Sequence, residues 1–183
     1  ASLNMNFISN YYVVSSSNLT SYNSYIKSIT SIERDDLNWQ GIKFQPTKSY
    51  NDSSASDPNR IYIRVTLGNL DFIGTTEFNL QLTYPFYIRS NDSSNNPIEI
   101  QGNYGSDTYL KKIDIVYTEY DTFQIMVKGE QIRYIINGVV HHELTRGDIV
   151  YPLYIKMATE SPQGVRNLQI LRSNVFKTNC VLD

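Results

Sequence analysis

The chain contains a single cysteine, Cys180, so no internal disulfide can form. Small secreted scaffolds normally carry bridges, so this scarcity favours assembly inside a cell, although display on a virion or cell surface is also expected from the reading below. There is no run of 18 apolar residues and hence no membrane-spanning helix. Ala1-Ser2-Leu3-Asn4 lacks both the basic region and the apolar core of a secretory signal. It reads as a mature N-terminus after methionine removal or as a cut one. Basic residues are not in excess: 16 Lys and Arg stand against 18 Asp and Glu, for a formal charge of -2 and a pI near 5.7. With no surplus to neutralise phosphates, nucleic acid is excluded as a partner. No Gly-x-Ser-x-Gly elbow, phosphate loop or Cys/His zinc spacing occurs, and no segment shows convincing helical periodicity.

What remains suits a packed β domain. The chain is 183 residues long, 40% hydrophobic and 19% charged, enough apolar material for one core spanning residues 1–183 and too little charge for a disordered tail. Tyrosine dominates the aromatics, 15 against 7 Phe and 1 Trp. Because each buried phenol wants a hydrogen-bond partner, that number predicts exposed tyrosines and a tyrosine-rich contact surface, with Tyr12, Tyr62 and Tyr134 opposite the aliphatic faces of their strands. The sequons at Asn18, Asn51 and Asn91 are explained by chance in a chain so rich in Asn and Ser.

Strand signals run throughout. Ile61–Leu67 alternates Ile, Ile, Val and Leu with Tyr, Arg and Thr. Phe123–Val127, Ile132–Ile136 and Val139–His142 are separated by a Gly129 turn and by Asn137-Gly138, the strongest short hairpin signal. They predict a three-stranded meander over residues 123–142. Further strands are expected at Phe7–Val14, Tyr25–Ile32, Gly41–Phe44, Phe78–Leu82, Pro85–Arg89, Ile98–Gln101, Ile113–Tyr117, Val150–Met157 and Asn167–Arg172, and a polar surface loop at Ser49–Asn59. Ile63, Val65, Ile125, Val127, Ile135 and Leu153 are expected in the core. Many short strands with frequent turns point to an all-β antiparallel sandwich of jelly-roll type.

The order of these motifs resembles a known superfamily. Asp121-Thr122-Phe123, the Gly129 turn, Ile132-Arg133-Tyr134, Asn137-Gly138 and Tyr151-Pro152-Leu153-Tyr154, closed by Val165–Ile170, are similar to the back half of concanavalin A-like lectin and glucanase sandwiches. Asn38-Trp39-Gln40-Gly41-Ile42 resembles the entry to an early strand of the same domains, so the likeness covers residues 39–172. It implies a jelly roll in which lectin-like recognition and glycan hydrolysis are both at home.

The residues separate those two functions only in part. Glucanases of this fold set carboxylates on alternate strand residues. Glu119-Tyr120-Asp121 offers two on one face if extended, but the third acidic position is occupied by Phe123. The same tripeptide resembles the metal-binding strand of legume lectins, yet Gln124–Lys128 supplies none of the further oxygen or imidazole ligands a Ca or Mn site needs. His141 and His142, the only histidines, point to opposite faces of a strand and cannot share an ion. No metal and no cofactor is expected. Lectin-like sites stack aromatics on sugar rings and bind hydroxyls with Asn, Asp and Gly amides, which marks Trp39, Tyr50, Asp52, Asn103 and Tyr104 as ligand-binding candidates. The resulting expectation is a non-catalytic recognition or assembly module, binding a glycan or protein surface as a homo-oligomer or within a larger viral assembly. A hydrolase using Glu119 and Asp121, or a cytosolic SPRY-type interaction domain, is the alternative.

Overall fold

The computed structural model describes residues 2–4, 25–27, 31–52, 61–69, 83–89, 91, 97–104, 107–159 and 164–172. Within them run twelve strands: β1 (Ser2–Asn4), β2 (Tyr25–Lys27), β3 (Gln40–Pro46), β4 (Ile61–Gly68), β5 (Thr83–Arg89), β6 (Ile98–Tyr104), β7 (Asp107–Ile113), β8 (Phe123–Lys128), β9 (Gln131–Ile136), β10 (Val139–Thr145), β11 (Tyr154–Thr159) and β12 (Val165–Leu171). The one helical element among the described residues is a single 3-10 turn at Tyr50–Asp52.

The strands form two sheets. One has seven strands in the order β1-β2-β11-β4-β5-β6-β7, and the other has five in the order β10-β9-β8-β3-β12. Pairing is antiparallel throughout except between β1 and β2 at one edge. Alternation explains the layering. Val65 and Leu67 on β4, Phe86 and Ile88 on β5, and Ile98 and Ile100 on β6 point inward from the larger sheet. Ile42 and Phe44 on β3, Phe123, Ile125 and Val127 on β8, and Ile132, Tyr134 and Ile136 on β9 meet them from the smaller one. Phe86 is the keystone between the sheets: its ring meets Tyr134 edge-on at 5.0 Å, Phe123 at 5.5 Å and Phe44 at 6.4 Å.

The expected meander over 123–142 is present as β8, β9 and β10. Its first hairpin turns at Gly129 (φ 57°), and its second at Asn137 (φ 50°) and Gly138 (φ 80°), the positive pair a two-residue turn requires. Of the six expected core residues, Ile63, Val65, Ile125, Val127 and Leu153 are buried, but Ile135 is not in the core. The hairpins set Phe123 opposite Ile136, Ile125 opposite Tyr134 and Val127 opposite Ile132, so Tyr134 turns inward and Ile135 pairs with Gln124 on the outer face. The placement of Tyr134 opposite the aliphatic face is therefore corrected: it is a core residue, as are Tyr50, Tyr84 and Tyr117. Tyr117 can be buried because its hydroxyl donates to the Arg89 carbonyl at 2.8 Å.

Two strand boundaries also move. Ile113–Tyr117 is not a strand; the strand there is β7, which ends at Ile113. Val150–Met157 shifts to β11, beginning at Tyr154. The expected strands Phe7–Val14 and Phe78–Leu82, together with Tyr12, the side chain of Tyr62 and Cys180, lie outside the described residues.

Candidate functional site

The expected ligand-binding residues are not brought to one place. Trp39 precedes β3 and Tyr50 follows it, so the seven-residue strand separates them by roughly 20 Å at about 3.3 Å per residue. Tyr50 belongs to the core, edge-on to Tyr117 at 5.7 Å, and is corrected from contact residue to packing residue. Asp52 is exposed at the end of the same 3-10 turn. Asn103 and Tyr104 close the β6–β7 hairpin at the far edge of the seven-stranded sheet, paired with Thr108 and Asp107; their side chains lie outside the described residues. Trp39 is half-buried on the outer face of the five-stranded sheet, with the Arg133 guanidinium 4.2 Å and the Lys128 ammonium 5.0 Å from its ring centre.

Glu119 and Asp121 are not on a strand either. They flank Tyr120 in a turn closed by the Asp121 amide donating to the Thr118 carbonyl at 3.2 Å. Asp121 is committed to holding that turn and the next hairpin. One oxygen accepts from the Thr118 amide at 2.8 Å and the other from the Asn137 side chain at 2.9 Å. Glu119 stands 4.0 Å from Arg166, whose guanidinium also donates to the Glu119 carbonyl. An extended Glu-x-Asp dyad facing a shared cleft is thus replaced by two carboxylates with separate, local partners.

Among the described residues a cavity lies on the outer face of the five-stranded sheet, where β12 meets β3. It has a volume of about 210 Å³ and is lined by Lys43, Gln45, Thr122, Asn167 and Gln169. An irregularity in β12 opens it. Arg166 pairs with Gln45 and Gln169 with Lys43, so β12 holds one more residue than β3 over this interval. The extra residue is accommodated by Asn167 at φ 52°, the left-handed conformation that Asn tolerates better than most. Asn167 donates its side-chain amide to Gln45 Oε1 at 2.6 Å, and Gln45 donates its own side-chain amide to the Tyr120 backbone carbonyl at 2.8 Å. This chain fixes both amides and ties them to Tyr120, which is 72% exposed with the Arg166 guanidinium 5.4 Å from its ring centre. The Lys43 ammonium has no hydrogen-bond or ion-pair partner among the described residues. The sequence reading missed Lys43, Gln45 and Asn167. Only the Asn at position 167, early in a strand, hinted at the bulge.

A second polar cluster lies on the outer face of the seven-stranded sheet. Arg64 stacks on Tyr87 at 4.4 Å, and Arg89 pairs with Glu99 at 2.8 Å. Thr66, Tyr87, Glu99 and Lys156 are buried there, so the cluster presents little surface to a ligand. Among the described residues no group of three or more His, Cys, Asp or Glu could hold a metal ion, and no helix is long and apolar enough to cross a membrane.

Comparison with solved structures settles the architecture. A transglycosylase, Crh5 in its apo form, superposes with a TM-score of 0.52 at 11% identity over 82% of this chain and 68% of its own. A homodimeric agglutinin from chicken liver, CG-16, gives 0.52 at 9% identity, covering 80% of this chain and 99% of its own. The carbohydrate-binding module CBM66 from Bacillus subtilis gives 0.51 at 10% identity, covering 89% and 96%. The fold is the concanavalin A-like jelly roll. At these identities the likeness speaks for the fold alone, and the similar structures include both enzymes and non-catalytic binders. No protein-family model matches the chain, and no curated protein matches it.

Proposed function

We propose that this jelly roll is a non-catalytic glycan-recognition module whose ligand seats in the cavity between β3 and β12. The observation that carries this reading is the chemistry of the lining: three carboxamides, a hydroxyl and an ammonium, with no carboxylate, imidazole or thiol. Carboxamides held by neighbours present donors and acceptors in fixed directions, which suits sugar hydroxyls. The exposed ring of Tyr120, tied to the cavity through Gln45, supplies the apolar face a pyranose stacks against. Glycoside hydrolysis would need a pair of carboxyl groups flanking the bond, and the cavity offers none. The agglutinin and the carbohydrate-binding module among the similar folds are consistent with this choice, and self-association would raise avidity for repeated sugars.

The test is a glycan array followed by titration calorimetry on the best hit. Gln45→Ala and Asn167→Ala should each weaken binding about ten-fold or more, since each removes a fixed hydrogen-bonding group; Gln45→Ala should change the melting temperature little, whereas Asn167→Ala also places an alanine at φ 52° and should lower it modestly. Hydrolysis of a β-glucan that is abolished by Glu119→Gln would replace this reading with the enzymatic one. An array with no bound glycan would remove it.

A further inference from the structure

The outer face of the five-stranded sheet has a charge pattern that the whole chain does not share. The chain is net negative, at -2. Yet the outward strand positions of this sheet carry Lys43, Lys128, Arg133 and Arg166 against one carboxylate, Glu143. Two of the four cations are answered: Arg133 by Glu143 at 2.9 Å, and Arg166 by Glu119 at 4.0 Å from the adjoining turn. Lys128 lies over Trp39. Lys43 remains, half-buried in the cavity wall, with no anionic partner among the described residues. Asp121, the remaining acid of the adjoining turn, has both its oxygens in hydrogen bonds to the turn and to Asn137.

A half-buried ammonium in a polar cavity without a carboxylate is an anion site, because its charge is only partly solvated and meets no competing partner. We infer that the glycan recognised in this cavity is acidic, with Lys43 holding the anionic substituent while the Asn167 and Gln169 carboxamides take hydroxyls. This rests on the glycan-binding reading above and adds the ligand class to it. Lys acts as a compact point charge rather than a bidentate fork, so it serves a uronate carboxylate or a sulfate ester alike. The net positive strand positions around it attract the same ligands and make the association depend on salt.

The experiment is calorimetric titration of the intact chain with a galacturonate oligosaccharide, a sulfated oligosaccharide and a neutral oligosaccharide of equal length, at low and at physiological salt. Acidic sugars should bind about ten-fold or more tightly than the neutral one, as expected for a charge-assisted hydrogen bond, and the preference should shrink as salt rises. Lys43→Met should remove most of that preference, with a much smaller loss of affinity for the neutral sugar, and Lys43→Arg should restore part of it. Tighter binding of the carboxylated sugar identifies the uronate form of the proposal, and tighter binding of the sulfated one identifies the sulfate form. Equal binding of all three, or an acidic preference that Lys43→Met leaves intact, overturns this inference while glycan binding itself stands. Failure of every sugar to bind overturns the functional reading as well.

Discussion

Replacing Phe86 with alanine should loosen the sandwich more than any other single truncation at its centre. Phe86 comes from the seven-stranded sheet and, among the described residues, is the one ring that touches Phe44, Phe123 and Tyr134 of the opposite sheet. All four side chains are completely buried, so nothing nearby can swing in from solvent to fill the space. Truncating a buried Phe costs about 3–5 kcal/mol in transfer free energy and cavity formation. Three edge-to-face contacts, each worth about 0.5–1.5 kcal/mol beyond area burial, place this site at the upper end. Against a net stability of roughly 5–15 kcal/mol, that is a third or more of the whole. For a domain of this size the melting midpoint should fall by about 6–20 °C.

The assay is equilibrium urea unfolding with tryptophan fluorescence, reading the midpoint at constant slope. Two comparators calibrate it. Phe86→Leu keeps most of the volume and should cost under about 1.5 kcal/mol. Ile135→Ala, on the outer face opposite Gln124, should cost under about 1 kcal/mol. If Phe86→Ala loses no more than Ile135→Ala, the two sheets do not lock through this ring and the assignment of inner and outer faces is wrong.

Other expectations follow from single contacts. Gly138→Ala should cost about 1–2 kcal/mol, because φ is 80° there while a Cβ would meet open space; Gly129→Ala should cost about as much in the same denaturation experiment for its φ of 57°, since the Asp36 carboxylate that its Cβ would crowd is an exposed side-chain end free to swing aside. The His142 pKa is lowered by burial, with Lys111 adding to the effect, so the neutral ring is favoured in the folded state. Stability should therefore be fully present above pH 6.5 and decline as pH falls below it, and a His142→Gln variant whose melting curves keep that decline would refute the assignment. Deleting Asn167 should leave a folded protein by circular dichroism and abolish ligand binding at the β3–β12 cavity.

The sequence shows the fold more clearly than the site, for reasons visible in particular residues. β8, β9 and β10 were legible because turn chemistry and alternation agree there: Asn137-Gly138 can adopt positive φ on both residues, and Phe123, Ile125 and Val127 repeat every second position. β7 was missed because Asp107–Ile113 contains adjacent lysines and no clean alternation; it is an edge strand held by seven register pairs to β6. Tyr134 and Ile135 were exchanged between faces because three apolar residues in a row fit either phase. Only the hairpin register, which places Phe123 across from Ile136, decides between them. The expectation of outward tyrosines fails at Tyr134 for the same reason and holds at Tyr120, which is exposed; Tyr117 shows how a buried phenol is accommodated, through the Arg89 carbonyl. The site depends on residues more than a hundred positions apart, such as Gln45 and Asn167, which no local pattern could bring together.

The deletion of Asn167 bears most directly on how the fold makes a cavity at all. An unbroken ladder between β3 and β12 would leave side chains standing side by side on the outer face with no recess between them. Here Arg166 stays opposite Gln45 and Gln169 opposite Lys43, so Phe44 faces two residues, Asn167 and Leu168. Leu168 keeps its inward place in the core, and Asn167 takes the left-handed turn that carries the surplus length outward. Removing Asn167 would put Leu168 directly across from Phe44 and leave Arg166 and Gln169 facing outward, a register with every buried contact intact. The same change removes the amide that fixes Gln45 and closes the recess beside Lys43. Core and cavity therefore depend on different residues of one strand. A deletion variant that unfolds would show that the bulge is needed for stability. One that folds and still binds at wild-type affinity would show that the ligand sits elsewhere on the sandwich.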